Sequence, residues 1–105
     1  MDGFVSLKGG IEYGSVLTKP IVIEGDQLHI NVNSWRGQVT AEILDATNGS
    51  PIAGFENTAS IPSSIDSIDE TMRWKHKSDI SELLGRTVRL RFSLFDAEIF
   101  AFWIG

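Results

Sequence analysis

Trp35 is the residue whose type and setting point most directly to chemistry. It stands between Ser34 and Arg36-Gly37, flanked by Asn33 and Gln38, with few apolar neighbours along the chain. An indole displayed on a turn can stack on the C–H face of a sugar ring while amide and guanidinium groups hydrogen-bond the hydroxyls. Tyr13, between Glu12 and Gly14, is a second aromatic of the same kind. Together Trp35, Asn33, Arg36, Gln38 and Tyr13 make a candidate carbohydrate-binding set. The competing reading is that Trp35 folds over the end of the domain or packs against a neighbouring domain, since large aromatics more often bury than display themselves. Trp74 and Trp103 fall inside alternating strand patterns and are expected in the core.

Other chemistry is thinly written. Asp66, Asp69 and Glu70 offer oxygen ligands of the kind calcium takes, but they lack glycine-punctuated loop spacing, so a solvated acidic loop is expected. His29 and His76 fall on different strands, without the spacing of metal ligands or of a triad. No pair among the 14 acidic residues stands out as a glycosidase acid and nucleophile. Cysteine is absent, which removes disulfides, thiolate metal sites and a thiol nucleophile. The expectation is therefore no catalytic residue, no metal and no cofactor. Asn48-Gly49-Ser50 has the form of a glycosylation acceptor, but a turn explains it.

The net charge of −5 disfavours nucleic acid and anionic lipid as partners. No apolar run approaches the roughly 18 residues of a membrane-spanning helix, and no basic-then-apolar leader opens the chain. With 105 residues, one domain and one core are expected; its edges at both termini suggest a module excised from, or homologous to part of, a longer protein.

The elements that must position these residues are strands. In the stretch 87–105, Val88, Leu90, Phe92 and Leu94 alternate with Arg89, Arg91 and Ser93, the period of a strand with one dry face. A turn at Asp96-Ala97-Glu98 returns the chain into residues 99–104, apolar on both faces. That second apolar face predicts an interaction surface built on Phe100, Phe102 and Ile104. Upstream, Leu28, Ile30 and Val32 alternate with His29, Asn31 and Asn33, and Val39, Ala41 and Ile43 alternate with Gln38, Thr40 and Glu42. Residues 34–37 between these two runs read as a hairpin. Asn48-Gly49 supplies the positive φ angles of another such turn. Residues 4–8, 11–18, 21–23, 52–55 and 72–76 read as further short strands, and 56–69 as a long surface loop pinned by Ile61, Ile65 and Ile68. Asp79-Ile80-Ser81-Glu82 has the form of a capping box, predicting one helical turn near 79–84 that ends at Gly85. Arg89 and Arg91 are expected to pair with Glu42 or Glu98 across strands. About eight strands in this order predict an all-β, two-sheet antiparallel β-sandwich of jelly-roll type.

Several of these landmarks, taken together, resemble a C-terminal β-sandwich module of bacterial glycoside-hydrolase-like proteins. They are the opening Asp2-Gly3-Phe4-Val5-Ser6-Leu7, Thr18-Lys19-Pro20, Asn31, the turn at Gly37, Asp45 and Ile52-Ala53-Gly54-Phe55. Arg73-Trp74-Lys75, Asp79-Ile80-Ser81, Leu84-Gly85, Val88-Arg89-Leu90-Arg91-Phe92 and Asp96-Ala97 complete the likeness. In such proteins the module follows a five-bladed propeller of the family 32/43 type or a sialidase-like propeller that carries the catalytic carboxylates. The sequence departs from the pattern at Trp35, where a small or polar residue is usual, and at 60–67, which lacks an Asp-Cys-Asp-like element.

The resemblance implies a non-catalytic accessory module that docks to a neighbouring catalytic domain in a parent chain, or to a second copy of itself, and assists in binding oligosaccharide. It also implies an extracellular or periplasmic location. The alternative is a purely structural or oligomerising domain without a small-molecule ligand.

Overall fold

In the computed structural model, residues 5–6, 14–33, 37–64 and 66–105 are described. Eight strands form among them: β1 (Val5–Ser6), β2 (Gly14–Leu17), β3 (Ile21–Val22), β4 (Leu28–Asn33), β5 (Gln38–Asp45), β6 (Asp66–Met72), β7 (Thr87–Phe95) and β8 (Glu98–Ile104). They make two antiparallel sheets. Sheet I has the order β1-β8-β4-β6; in sheet II, β7 lies between β5 and the pair β2 and β3.

β2 and β3 are one broken strand, because both pair end to end with β7, at 91–94 and at 87–88. Pro20, which has no N–H to donate, lies in the break. Thr18 bridges it, donating its N–H to the Leu90 carbonyl at 2.9 Å and accepting the Leu90 N–H on its hydroxyl at 3.0 Å. Along the other edge of sheet II the segment 51–63 follows β5 through bridges at Leu44–Pro51 and Val39–Ser63. With β2 and β3 counted as one strand and 51–63 as an irregular fourth, the topology is that of a jelly roll.

The apolar positions of the two sheets meet in a single interior. Leu28, Ile30 and Val32 of β4 and Ile99, Phe102 and Ile104 of β8 face Val39, Ala41 and Ile43 of β5 and Val88, Leu90 and Phe92 of β7. Phe92 and Phe102 touch across the sheets, ring centroids 5.3 Å apart. Trp74 is buried, donates its indole N–H to the Ala41 carbonyl at 2.9 Å, and meets Phe55 edge-on at 5.1 Å.

Neither the run expected to form a hairpin, β4 with β5, nor the run joined by the turn at 96–98, β7 with β8, pairs within one sheet. β4 lies in sheet I and β5 in sheet II; β7 lies in sheet II and β8 in sheet I. Alternation specifies a dry face but not the partner that covers it. Here consecutive strands lay their dry faces on each other instead of pairing edge to edge. The two corners adjoin, since Asn33 is opposite Glu98 while Gln38 is opposite Phe95. Gly37 makes this possible: a Cβ there would stand 1.7 Å from the Phe95 carbonyl oxygen.

Other expectations shift in detail. The stretch that read as loop becomes strand from Asp66 onward. The Ile61 side chain is 47% exposed and does not anchor the segment in the core, though its N–H donates to the Arg73 carbonyl at 2.9 Å; Phe55, Ser60 and the contacts of Trp74 hold the segment inside. Ile65 lies outside the described residues. The turn near 79–84 is a 3₁₀ turn at Ser81–Leu83, without a side-chain cap on its N-cap residue Ile80. Glu82 pairs with Lys77 instead of reaching back. Gly85 does take the left-handed conformation, as does Gly49, whereas Asn48 does not.

Two half-buried aspartates tie loops by accepting hydrogen bonds. Asp45 takes the Thr47 N–H at 2.7 Å and pairs with Arg86 at 3.0 Å; Asp79 takes the Ser81 N–H at 3.0 Å and its hydroxyl at 2.8 Å. These bonds, with the Arg86 charge beside Asp45, hold both carboxyls below the ordinary aspartate value. A folded-state pKa below the unfolded one contributes stability that is present above the unfolded value and is lost as pH falls through the folded value. Thermal stability should thus decline as pH drops below about 3.9. Asp45→Asn with Asp79→Asn should flatten that decline in melts between about pH 5 and pH 2; an unchanged slope would assign the acid loss to other groups.

Candidate functional site

The outer face of sheet I gathers aromatic, imidazole, amide and carboxylate groups from three strands. Period two turns His29, Asn31 and Asn33 of β4 outward, because Leu28, Ile30 and Val32 fill the interior. The register sets their neighbours. Trp103 of β8 and Thr71 of β6 flank His29, and Ala101 of β8 lies opposite Asn31, as Glu98 does opposite Asn33.

Trp103 and His29 stand as stacked rings, centroids 5.3 Å apart and planes within 8°. His29 Nδ1 donates to Asp69 Oδ1 at 2.6 Å, which assigns the proton to Nδ1 because a carboxylate only accepts. The His29 side chain is 14% exposed and that of Asp69 58%, so the imidazole is walled in while the carboxylate meets solvent. Gly105 lies against both rings: a Cβ there would meet Trp103 Cδ1 at 3.7 Å and His29 Nε2 at 3.9 Å. Trp103, expected in the core, is therefore a half-buried residue of the outer face.

The candidate set drawn from the sequence is divided by the fold. Asn33 ends β4 in sheet I, half-buried; Gln38 opens β5 in sheet II, exposed. They flank a corner between sheets and not a hairpin tip. Trp35, Arg36 and Tyr13 lie outside the described residues.

The apolar surface expected on Phe100, Phe102 and Ile104 does not form. Phe102 and Ile104 are 1% and 5% exposed members of the core, and Phe100 is half-buried. A bulge is the reason. Asn31 pairs with Ala101 but Val32 with Ile99, so Phe100 is an extra residue in β8 and breaks the alternation on which that surface rested.

Asp66, Asp69 and Glu70 belong to one strand. Asp69 bonds outward to His29 whereas Glu70 is registered with inward-facing Ile30, so the two do not converge on a cation. Among the described residues no group of three or more His, Cys, Asp and Glu is placed to hold a metal ion. His76 is exposed in the turn after Trp74.

On sheet II the expected cross-strand pair is present: Arg91 lies opposite Glu42, with Nη1 3.4 Å from Oε1. The other Glu42 oxygen accepts the Asn57 N–H at 3.2 Å, and Asn57 Oδ1 accepts the Thr40 hydroxyl at 2.6 Å. Glu42 is thus used in fastening the 51–63 segment over β5.

Sequence reasoning missed the grouping of His29, Asp69 and Trp103. Its only signal was that His29 alternates outward while the strand of Trp103 is apolar on both faces; their registry is a long-range property.

Fold and face together define an all-β jelly-roll domain with aromatic and carboxylate side chains displayed on one sheet. Comparison with protein-family models, curated proteins and solved structures finds no match.

Proposed function

We propose that this domain is a non-catalytic accessory module of a glycosidase-like, carbohydrate-active protein, docking beside a catalytic propeller and holding glycan on the outer face of sheet I. The observation that carries the reading is the Trp103–His29 stack beside Asp69 and Asn31 on an outward sheet face. The aromatic pair gives a sugar ring apolar contact, the sugar hydroxyls donate to carboxylate and amide oxygens, and the amide N–H groups donate to the hydroxyl oxygens. The jelly-roll architecture adds an associational argument through the resemblance of the chain to accessory sandwiches. The resemblance is also what favours an exported parent protein.

The test is an NMR titration of the indole N–H signals with plant-type and host-type oligosaccharides. A shift at Trp103, lost in Asn31→Ala, is the expected result and assigns the face. A shift confined to Trp35 moves the site to the connection between Asn33 and Gln38. No shift at millimolar sugar removes glycan binding by the isolated module.

The second reading, a structural or oligomerising domain, draws on a different surface. Leu17 and Val22 stand 47% exposed on the broken edge strand of sheet II, and Phe95 is 67% exposed at the corner. That reading expects a dimer in light scattering, which Leu17→Lys with Val22→Lys would dissociate.

A further inference from the structure

We propose that the glycan held on sheet I is a cationic amino-sugar oligomer, a specificity that rests on the carbohydrate reading above. The argument is the separation of charge between the two sheets. Toward the outer face sheet I has Asp69, bonded to His29, and Glu98, registered with Asn33, whereas Glu70 is registered with inward-facing Ile30; the strands of the sheet carry neither lysine nor arginine.

The lysines and arginines among the described residues lie outside those strands. Arg89 and Arg91 lie on β7 in sheet II. Arg91, Arg86 and Lys77 are each engaged by a carboxylate away from this face, namely Glu42, Asp45 and Glu82. Lys75 and Arg73 lie beyond the last residue of β6, Arg73 directly after it, and Lys19 lies between β2 and β3. Lys8 and Arg36 are outside the described residues.

Position along the face matters as much as sign. Asp69 lies beside the Trp103–His29 stack, with its side chain 58% exposed. Glu98 is registered with Asn33, four residues along β4 from His29 and so about 13 Å away at strand rise. A linear oligosaccharide lying along β4 would place one ring against the aromatic pair and later rings toward Glu98. Ammonium groups on such rings would meet carboxylates at both ends of the face. Uronate or sialic-acid carboxylates would meet like charge there, with no lysine or arginine on any strand of the sheet and the His29 imidazole already bonded to Asp69.

The experiment compares four oligosaccharides of matched length by NMR titration of the folded domain: glucosamine, N-acetylglucosamine, glucose and galacturonate oligomers. The glucosamine oligomer should bind about ten-fold tighter than the glucose oligomer at low salt, the factor expected of two exposed charge pairs. The preference should shrink in 0.5 M salt, as screening requires of exposed charges. Asp69→Asn and Glu98→Gln should each remove about three-fold of it. Because Asp69→Asn also loosens His29, Glu98→Gln, remote from the stack, keeps the test clean.

Equal binding of glucosamine and glucose oligomers, or tighter binding of the galacturonate oligomer, overturns the amino-sugar inference and leaves the carbohydrate reading standing. Binding of none of the four overturns both.

Discussion

Gly37→Ala is expected to cost the domain about 3 kcal/mol or more, at the upper end of what overpacking usually does. The added methyl would stand 1.7 Å from the Phe95 carbonyl oxygen and 2.7 Å from that of Asp96, distances no Cβ tolerates. Both obstacles are backbone atoms, so no rotamer change relieves them. Relief requires the corner after β4 to separate from the corner after β7. That separation would break the Gln38–Phe95 pairing that begins the longest ladder of sheet II. For a domain of this size the melting temperature should fall by roughly 12–24 °C. Gly49→Ala is the control. Its φ is +73° but nothing lies within 4 Å of a Cβ there, so only the left-handed strain of about 1 kcal/mol applies. Urea unfolding measures both. If Gly37→Ala falls no further than Gly49→Ala, the two corners do not pack as described.

Trp74→Ala should be the second severe change, at about 4 kcal/mol. Trp74 is 1% exposed, and its contacts fasten the irregular edge of sheet II. Its indole bonds to Ala41 of β5, its ring meets Phe55, and its backbone bridges Ser60 and Lys77. Trp74→Phe keeps most of the apolar contact but loses the indole donor, and should cost about 1–2 kcal/mol.

The alanine variant also has a spatial signature. The amides of Val39, Ile43 and Ser63, which bond between β5 and the 51–63 segment, should lose hydrogen-exchange protection before those that β5 shares with β7. Uniform loss across β5 would mean that Trp74 supports the core as a whole and not this edge. Uncovering β5 would also leave an unpaired edge strand, so the variant should aggregate more readily.

Much of the fold was legible because strand periodicity is local. The inward set on β4, β5 and β7 follows from alternation alone, since each strand must turn its apolar positions to a dry face wherever that face lies. The Arg91–Glu42 pair was legible for the same reason, once both strands were given outward polar positions. Alternation failed in β8, where a bulge at Phe100 shifts the phase by one residue and places Phe102 and Ile104 inside. A bulge is set by the neighbouring strand, so a run that is apolar on both faces does not reveal it. The loop that turned partly into β6 failed differently. Asp66, Asp69 and Glu70 have low strand propensity, and pairing with β4 overrides it.

The amino-acid sequence by itself determined the all-β character, the strand positions of the central core, the burial of Trp74 and the left-handed glycines at 49 and 85. Each depends on neighbours a few residues away. Tertiary structure alone decided which sheet each strand joins, that β4 and β5, like β7 and β8, fall in opposite sheets, and that Trp103 leaves the core to stack on His29 beside Asp69. Those three residues are far apart in the chain and meet only through the registers of β8 and β6 on β4. Register is fixed by the packing of whole faces, which no local pattern encodes.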